Sequence, residues 1–268
     1  MESFTFHRPQ TIEEAVAALQ GADEGKLLAG GQSLIPLMKL DMAQPTDLIS
    51  LAGIDALRGV SEEDGAVVIG AGATHDDVAR SELVTSKIPS LAALAGAIGD
   101  PQVRNRGTLG GSLAHADPAA DYPGAVLALG ATIRTSERPE GIPADVFFKG
   151  LFETELEEHE IITAVAFPVP RRAHYAKFAS PASKYAIVGV FVADFGGGDV
   201  RVAVTGAGEH VFRVGEMEEA LAEELSPAAL EGVSVPADEL RGDVEAGADY
   251  RAHLIGVMAR RAVAALVG

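Results

Sequence analysis

The sequence contains no cysteine. Disulfides, zinc–thiolate sites and cysteine-ligated iron–sulfur clusters are therefore excluded within the chain itself. Tryptophan is also absent, and aromatic residues make up only 5%. No apolar run approaches the ~20 residues of a membrane-spanning helix. The start, MESFTFHRP, lacks the basic stretch and long apolar segment of a secretory signal. Positive charge is scarce: 21 Lys and Arg stand against 39 Asp and Glu, a formal net charge of −18. Such a chain repels phosphate backbones and anionic membrane surfaces, so nucleic-acid recognition and electrostatic membrane attachment are poor functional classes for it. The expectation is a soluble, cytoplasmic protein.

What is present is a well-filled globular composition, with 47% hydrophobic residues and 30 glycines in 268 residues. At ~150 residues per domain the length suggests two domains. In the first third, Thr11 with Glu14 has capping-box spacing ahead of a helical stripe of Ile12, Ala15, Val16 and Leu19. Lys26–Ala29 and Val67–Ile69 read as short strands ended by glycine. Thr74 with Asp77 repeats the capping spacing and starts a helix toward Leu83, and 90–98 is an Ala/Leu-rich helix. Later segments are richer in β-branched residues: 131–135, 161–167, 187–195 and 200–205 read as strands, with Gly196–Asp199 a hairpin turn. Residues 228–248 read as loop with short elements, and 250–266 as an amphipathic helix with Leu254, Val257, Met258 and Leu266 on one side. The prolines and basic pair of PVPRRAHYA (168–176) mark a candidate boundary, with Arg171 and Arg172 read as a solvated linker.

Two glycine-rich segments carry the chemistry. LLAGGQS (27–33) and GTLGGSL (107–113) each join a Gly-Gly step to a small hydroxyl residue. Glycine lets the backbone approach a ligand closely, and successive N–H groups can converge on an anion. An acidic protein that binds a diphosphate needs such local donors. Downstream, Asp117 and Asp121 lie four residues apart and would share one face of a helix starting at Pro118. Asp117 would then either cap that helix or meet sugar hydroxyls. Other patterns fail. In GAGATH (70–75) a histidine stands at the third-glycine position and no acidic residue follows at the right distance, which rejects a dinucleotide fingerprint. No phosphate-binding P-loop, GxSxG or HExxH is present. The carboxylates of 153–160 read as a solvated face or loop rather than a paired-carboxylate site. With no nucleophile or acid–base dyad in view, the chemistry falls to a bound cofactor.

AGGQSLIPLMKL (29–40) and IGDPQVRNRGTLGGSLAHADPAADYP (98–123) resemble the FAD-binding, or medium, subunits of molybdenum hydroxylases. That family includes the medium subunit of aerobic carbon monoxide dehydrogenase and the FAD portion of xanthine dehydrogenase. FTFHRPQTIEEAVAAL, EIITAVAFPVP and DYRAHLIGVMARRAVAAL fit as well, so the likeness runs from end to end. It implies an α+β, PCMH-type FAD-binding fold of two subdomains over residues 1–170. A small C-terminal domain, 171–268, follows with a three-stranded antiparallel sheet and helices. The matching positions are Leu28, Ala29, Gly30, Gly31, Gln32 and Ser33 in the first diphosphate loop, and Thr108, Gly110, Gly111 and Ser112 in the second. Ile98, Gly99, Ala114 and Asp117 match residues that line the cofactor, and Asp121 one that binds its hydroxyls. Ile162, Lys177 and Tyr185 match positions near the flavin ring. The resemblance further implies a large molybdenum-cofactor subunit and a small [2Fe-2S] subunit as partners, in a dimer of heterotrimers, with electrons leaving FAD to an external acceptor. Two other classes stay open on the residues alone: an autonomous FAD-dependent oxidase or dehydrogenase, and a non-redox nucleotide-binding scaffold.

Overall fold

In the computed structural model, which describes residues 3–268, the chain opens on a small parallel sheet. Strands β1 (Thr5–His7), β2 (Gly25–Leu28) and β3 (Asp47–Ser50) lie in the order β1-β3-β2, with helices α1 (Ile12–Gln20) and α2 (Leu34–Lys39) in the connections. Thr11 accepts the Glu14 N–H at 3.2 Å as expected, but the Glu14 carboxylate reaches past the cap to the N–H of Gln10, at 2.8 Å. The inward face of α1 places Ala15 and Leu19 against Ile49, Ile54, Leu57 and Ile161.

The middle of the chain is helical on one side and sheet on the other. Strands β4 (Val60–Glu63) and β5 (Ala66–Gly70) precede helices α3 (His75–Arg80), α4 (Glu82–Lys87), α5 (Pro89–Gly96), α6 (Pro101–Arg104), α7 (Leu109–His115) and α8 (Tyr122–Ala128). Then come β6 (Thr132–Thr135), β7 (Ile142–Pro143), α9 (Ala144–Phe147), the hairpin β8 (Phe148–Gly150) and β9 (Glu153–Thr154), and β10 (Ile162–Pro168). The main sheet is antiparallel, in the order β4-β5-β10-β6-β7. Thr74 and Asp77 form a complete capping box. The helix they start stops at Arg80, not near Leu83, because Ser81 turns extended and caps α4 through the Val84 N–H.

The helix expected from Pro118 does not form. Ala116, at φ +48°, ends α7, and Asp117 folds onto the Ala119 N–H at 2.8 Å. The Pro118 carbonyl, which such a helix would need to accept the Tyr122 N–H, instead accepts the Gly206 N–H at 2.7 Å and lies 2.8 Å from the Thr205 hydroxyl. Helix α8 begins only at Tyr122.

The last third holds β11 (Arg172–Ala179), β12 (Ala186–Gly196), β13 (Asp199–Thr205), β14 (Phe212–Arg213), α10 (Gly215–Glu223) and α11 (Ala248–Val267). The three long strands form an antiparallel sheet, and the two-residue β14 extends its edge. Residues 224–247 contain two single-turn helices, Ala228–Leu230 and Ala237–Glu239. The sheet is buried on both faces. Phe191, Ala193 and Ala203 join the core around α5 and α8. Val188, Val190, Val192, Val202 and Val204 alternate to the other side and meet Leu254, Ile255, Met258, Ala259, Ala262 and Val263 of α11. Each large apolar side chain so buried contributes roughly 1.5–3 kcal/mol. Arg172 is no linker residue: it stands in β11 and pairs with the buried Asp194 at 2.9 Å. Among the described residues no helix is long and apolar enough to cross a membrane.

Candidate functional site

The ends of β2 and β3, the turn after β5 and the start of α7 converge on one cavity of about 750 Å³. That size suits a cofactor rather than a small substrate. Parallel strands leave their C-terminal ends open to ligands, and the first glycine segment sits at such an end.

The first loop is unfinished by the protein. Among the described residues, no backbone acceptor takes the N–H groups of Gly30, Gly31, Gln32, Ser33 or Leu34. Gly31 holds φ at +73°, a conformation that side-chain-bearing residues disfavour. A run of unpaired amides lining a cavity is an anion seat, because partly buried donors need acceptors.

The second loop is built the opposite way. The Leu109 and Gly110 amides donate to Ala73 and Ala71 at 3.0 and 2.8 Å. Gly111 donates to the Thr108 hydroxyl oxygen at 3.1 Å, and Ser112 to the Thr108 carbonyl at 3.1 Å. These four amides are spent, so the loop offers a ligand the hydroxyls of Thr108 and Ser112 and the Thr108 N–H, which has no acceptor among the described residues. The two loops touch: a Cβ added at Gly30 would lie 2.3 Å from the Arg106 carbonyl oxygen.

His75 stiffens this junction from beneath. Its backbone N–H donates to the Gly107 carbonyl at 2.9 Å, and its ring packs 5.3 Å from that of Tyr122. Burial, helped by the Arg104 charge, pulls the imidazole down to about 4, so it is neutral at physiological pH. Its Nδ1 and the Tyr122 hydroxyl are buried with no partner among the described residues. Arg104 in turn donates to the carbonyls of Ile98 and Gly99 at 3.0 and 3.3 Å, holding that turn on the cavity wall.

Residues 28–33, 98–99, 108 and 110–112, with Ala114, Asp117, Asp121, Ile162 and Tyr185, all line this one cavity. Lys177 does not. It stands behind the wall and reaches it through Asp121, whose carboxylate it meets at 2.8 Å while the Tyr175 hydroxyl donates to the other oxygen at 2.5 Å. Burial pushes the Asp121 carboxyl up, and Lys177 and Tyr175 pull it only part of the way back. Tyr185 is 43% exposed at the rim, and partial burial beside Asp117 and Asp121 raises its hydroxyl.

Sequence reasoning missed several groups. Lys26, Arg58 and Arg106 bring positive charge to the cavity wall of an acidic chain. Two of them are adjacent to the glycine segments, Lys26 before LLAGG and Arg106 before GTLGG, which was the available signal. Glu160 is not part of a solvated face. It is 4% exposed, lines the cavity, and takes the Arg138 guanidinium, the Thr135 hydroxyl and the Glu157 N–H. Burial would raise this carboxyl, but those bonds prevail and hold it at about 2.

The family model described as the FAD binding domain in molybdopterin dehydrogenase matches residues 2–170. The chain is 37% identical to the carbon monoxide dehydrogenase medium chain of Hydrogenophaga pseudoflava, over 97% of this chain and 96% of that one. It is 36% identical to the nicotine 6-hydroxylase medium subunit of Paenarthrobacter nicotinovorans, over 98% and 97%. Among solved structures, the carbon monoxide dehydrogenase from H. pseudoflava that lacks the Mo-pyranopterin moiety superposes with a TM-score of 0.89 at 37% identity, covering 99% of this chain and 98% of that one. Quinoline 2-oxidoreductase from Pseudomonas putida 86 gives 0.84 at 28% identity, over 99% and 97%.

Proposed function

The chain belongs to the family of FAD-binding domains of molybdopterin dehydrogenases, and from that membership we propose how its own residues serve as the FAD-carrying, electron-transfer subunit of a heteromeric molybdenum hydroxylase. The observation that carries the reading is the run of amides from Gly30 to Leu34 with no acceptor among the described residues, facing a second loop whose amides at 109–112 are already used. A diphosphate supplies the acceptors that the first loop lacks, and Thr108 and Ser112 add hydroxyl donors from the opposite side. Lys26 and Arg106 offset the repulsion that a chain of net charge −18 exerts on such a ligand. One carboxylate oxygen of Asp117 is used by Ala119, which leaves the other for a sugar hydroxyl. When bound, FAD supplies a redox centre that handles electrons singly or in pairs.

The remaining residues set the surroundings. Lys177 and Tyr175 hold the buried Asp121 in one orientation, so a fixed charge pair stands at the wall. Tyr185, at the rim, controls how much of that wall meets solvent. Ile98 and Ile162 give apolar surface. Among the described residues, no side chain in the cavity is arranged as a nucleophile with its base, which supports electron transfer over substrate activation by this chain.

The assembly follows from the same reading: a large molybdenum-cofactor subunit, a small [2Fe-2S] subunit, a dimer of heterotrimers in the cytoplasm, and an external electron acceptor. Residues 1–170 would act as the FAD-binding domain and 171–268 as the smaller C-terminal domain. Purification of the chain alone tests the core of this. FAD absorbance near one equivalent per chain, with no substrate turnover until the partner subunits are added, is expected. A colourless protein, or turnover by the isolated chain, refutes it.

A further inference from the structure

Helix α11 is anchored by apolar side chains, yet its first inward turn carries an arginine that is 2% exposed. Packing alone does not call for a charge there, since an aliphatic residue would fill the space at lower desolvation cost. Four of the five N–H donors of the Arg251 guanidinium are used, one of them by Nε toward the Ala246 carbonyl at 3.4 Å. Its Nη1 donates to the carbonyls of Ile187 and Gly206 at 2.5 and 2.7 Å, and its Nη2 to the Asp243 carboxylate at 2.7 Å. Asp243 is held in turn by Arg241 at 3.0 Å and by the N–H groups of Glu245 and Ala246. A planar fork can bridge these sites at once, and a lysine cannot.

The two carbonyls belong to the segments that grip the cavity loop. Gly206 donates its N–H to Pro118 at 2.7 Å, and Ala186, next to Ile187, donates to Ala119 at 3.2 Å. The Thr205 hydroxyl, fully buried, lies 2.8 and 2.6 Å from the carbonyls of Pro118 and Ala120. Loop 117–121 is therefore clasped from both sides, and Arg251 holds both sides together. The preceding turn is tied in as well: Ser180 donates to the Glu245 carboxylate at 2.5 Å, and its N–H to the Tyr185 carbonyl at 2.8 Å.

We infer that Arg251, with Asp243 and the relay residue Thr205, is a positioning residue for the cofactor cavity: it fixes the loop bearing Asp117 and Asp121 and the strand start bearing Tyr185. Arg251 touches no cavity atom and acts only through these backbone bonds. The inference rests on the cavity being the FAD site.

The test uses the full chain with three substitutions, Arg251→Lys, Arg251→Met and Thr205→Val. Thr205→Val keeps side-chain shape and removes only the hydroxyl, so it decides the matter if the arginine variants do not fold. Amide hydrogen exchange is followed at residues 119–121, Ala186 and Gly206, with β5 and β10 as internal references, and FAD affinity by fluorescence titration of the apoprotein. The expected result is faster exchange confined to those amides and a loss of about tenfold in FAD affinity, the scale of one or two misplaced buried hydrogen bonds. Folded variants with parental exchange at those amides overturn the inference. So does a lowered melting temperature with unchanged FAD affinity, which would make the clasp merely structural. If the parent chain binds no FAD, the proposed function fails, and the exchange measurement still decides whether Arg251 holds the loop.

Discussion

Replacing Gly30 by alanine adds one methyl group where the two glycine loops meet. Built on the present backbone, that carbon would lie 2.3 Å from the Arg106 oxygen and 2.7 Å from the Gly107 Cα, where ordinary contact begins near 3.4 Å. One loop must retreat by about 1 Å. Overpacking of this kind costs roughly 1–3 kcal/mol. Which loop yields decides what the cost affects. The Arg106–Gly107 backbone is locked, with Gly107 donating to Val103 at 2.7 Å and accepting from His75 at 2.9 Å. In the 30–34 turn no N–H has an acceptor among the described residues. Bonds within α2 aside, its only backbone bonds are the longer ones from Ile35 to the Gly31 carbonyl and from Leu37 to the Ser33 carbonyl, at 3.3 and 3.2 Å. It is therefore the side that yields, and the strain falls on ligand binding more than on folding. FAD affinity in Gly30→Ala is expected to drop by about 10- to 100-fold, read by fluorescence titration of apoprotein, with little change in the urea midpoint. Gly215→Ala is the control: nothing lies within 4 Å of its added carbon, and a gain of up to ~1 kcal/mol in stability is expected at a helical position. Parental FAD affinity in Gly30→Ala would refute the two-loop geometry as the diphosphate site.

Three further outcomes can be checked. The Glu160 carboxyl is lowered from 4.5 to about 2 in the fold, so its bonds stabilise the protein above the unfolded value and lose that effect as pH falls from about 4.5 through about 2. Glu160→Gln should cost on the order of 3 kcal/mol at neutral pH and flatten that acid limb in urea titrations. The His75 imidazole is lowered from 6.5 to about 4. Its contribution is complete above 6.5 and shrinks as pH falls toward about 4, and His75→Gln should remove this separate window of about 3 kcal/mol. Lys177→Met leaves Asp121 paired only with Tyr175. Above the pH at which Asp121 ionises, the unbalanced charge disfavours electron uptake, so the FAD potential should fall and become pH-dependent. A potential unchanged across the neutral range in a spectroelectrochemical titration would remove Lys177 from any tuning role.

The periodic and glycine signals were local, and they were legible. Thr74 with Asp77, the strands near 67–69, 187–195 and 200–205, and the last helix all depend on neighbouring residues, and they stand close to where the pattern put them. Both glycine segments reach one cavity, with Leu109 and Leu113 of the second turned into the core instead. The unequal use of their amides was not legible, because it depends on Ala71 and Ala73 arriving across the fold to accept from Leu109 and Gly110. Pro118 misled for the same reason: its proline looks like a helix start, but Thr205 and Gly206 claim its carbonyl from a distant strand end. Arg251 gave no sign either. A charge near the start of an amphipathic helix reads as solvent-facing until the turns that accept its hydrogens are in place.

The contrast between the two glycine turns bears on the order of assembly. The 107–112 turn draws its acceptors from the protein itself, Ala71 and Ala73 included, and can be finished during folding. The 30–34 turn has donors with no acceptor among the described residues, so on the proposed function loading would exchange water for phosphate oxygens at a prepared berth. Small oxyanions are natural rivals for that berth. Concentrated sulfate or phosphate should slow flavin uptake by the apoprotein, and their removal should restore it.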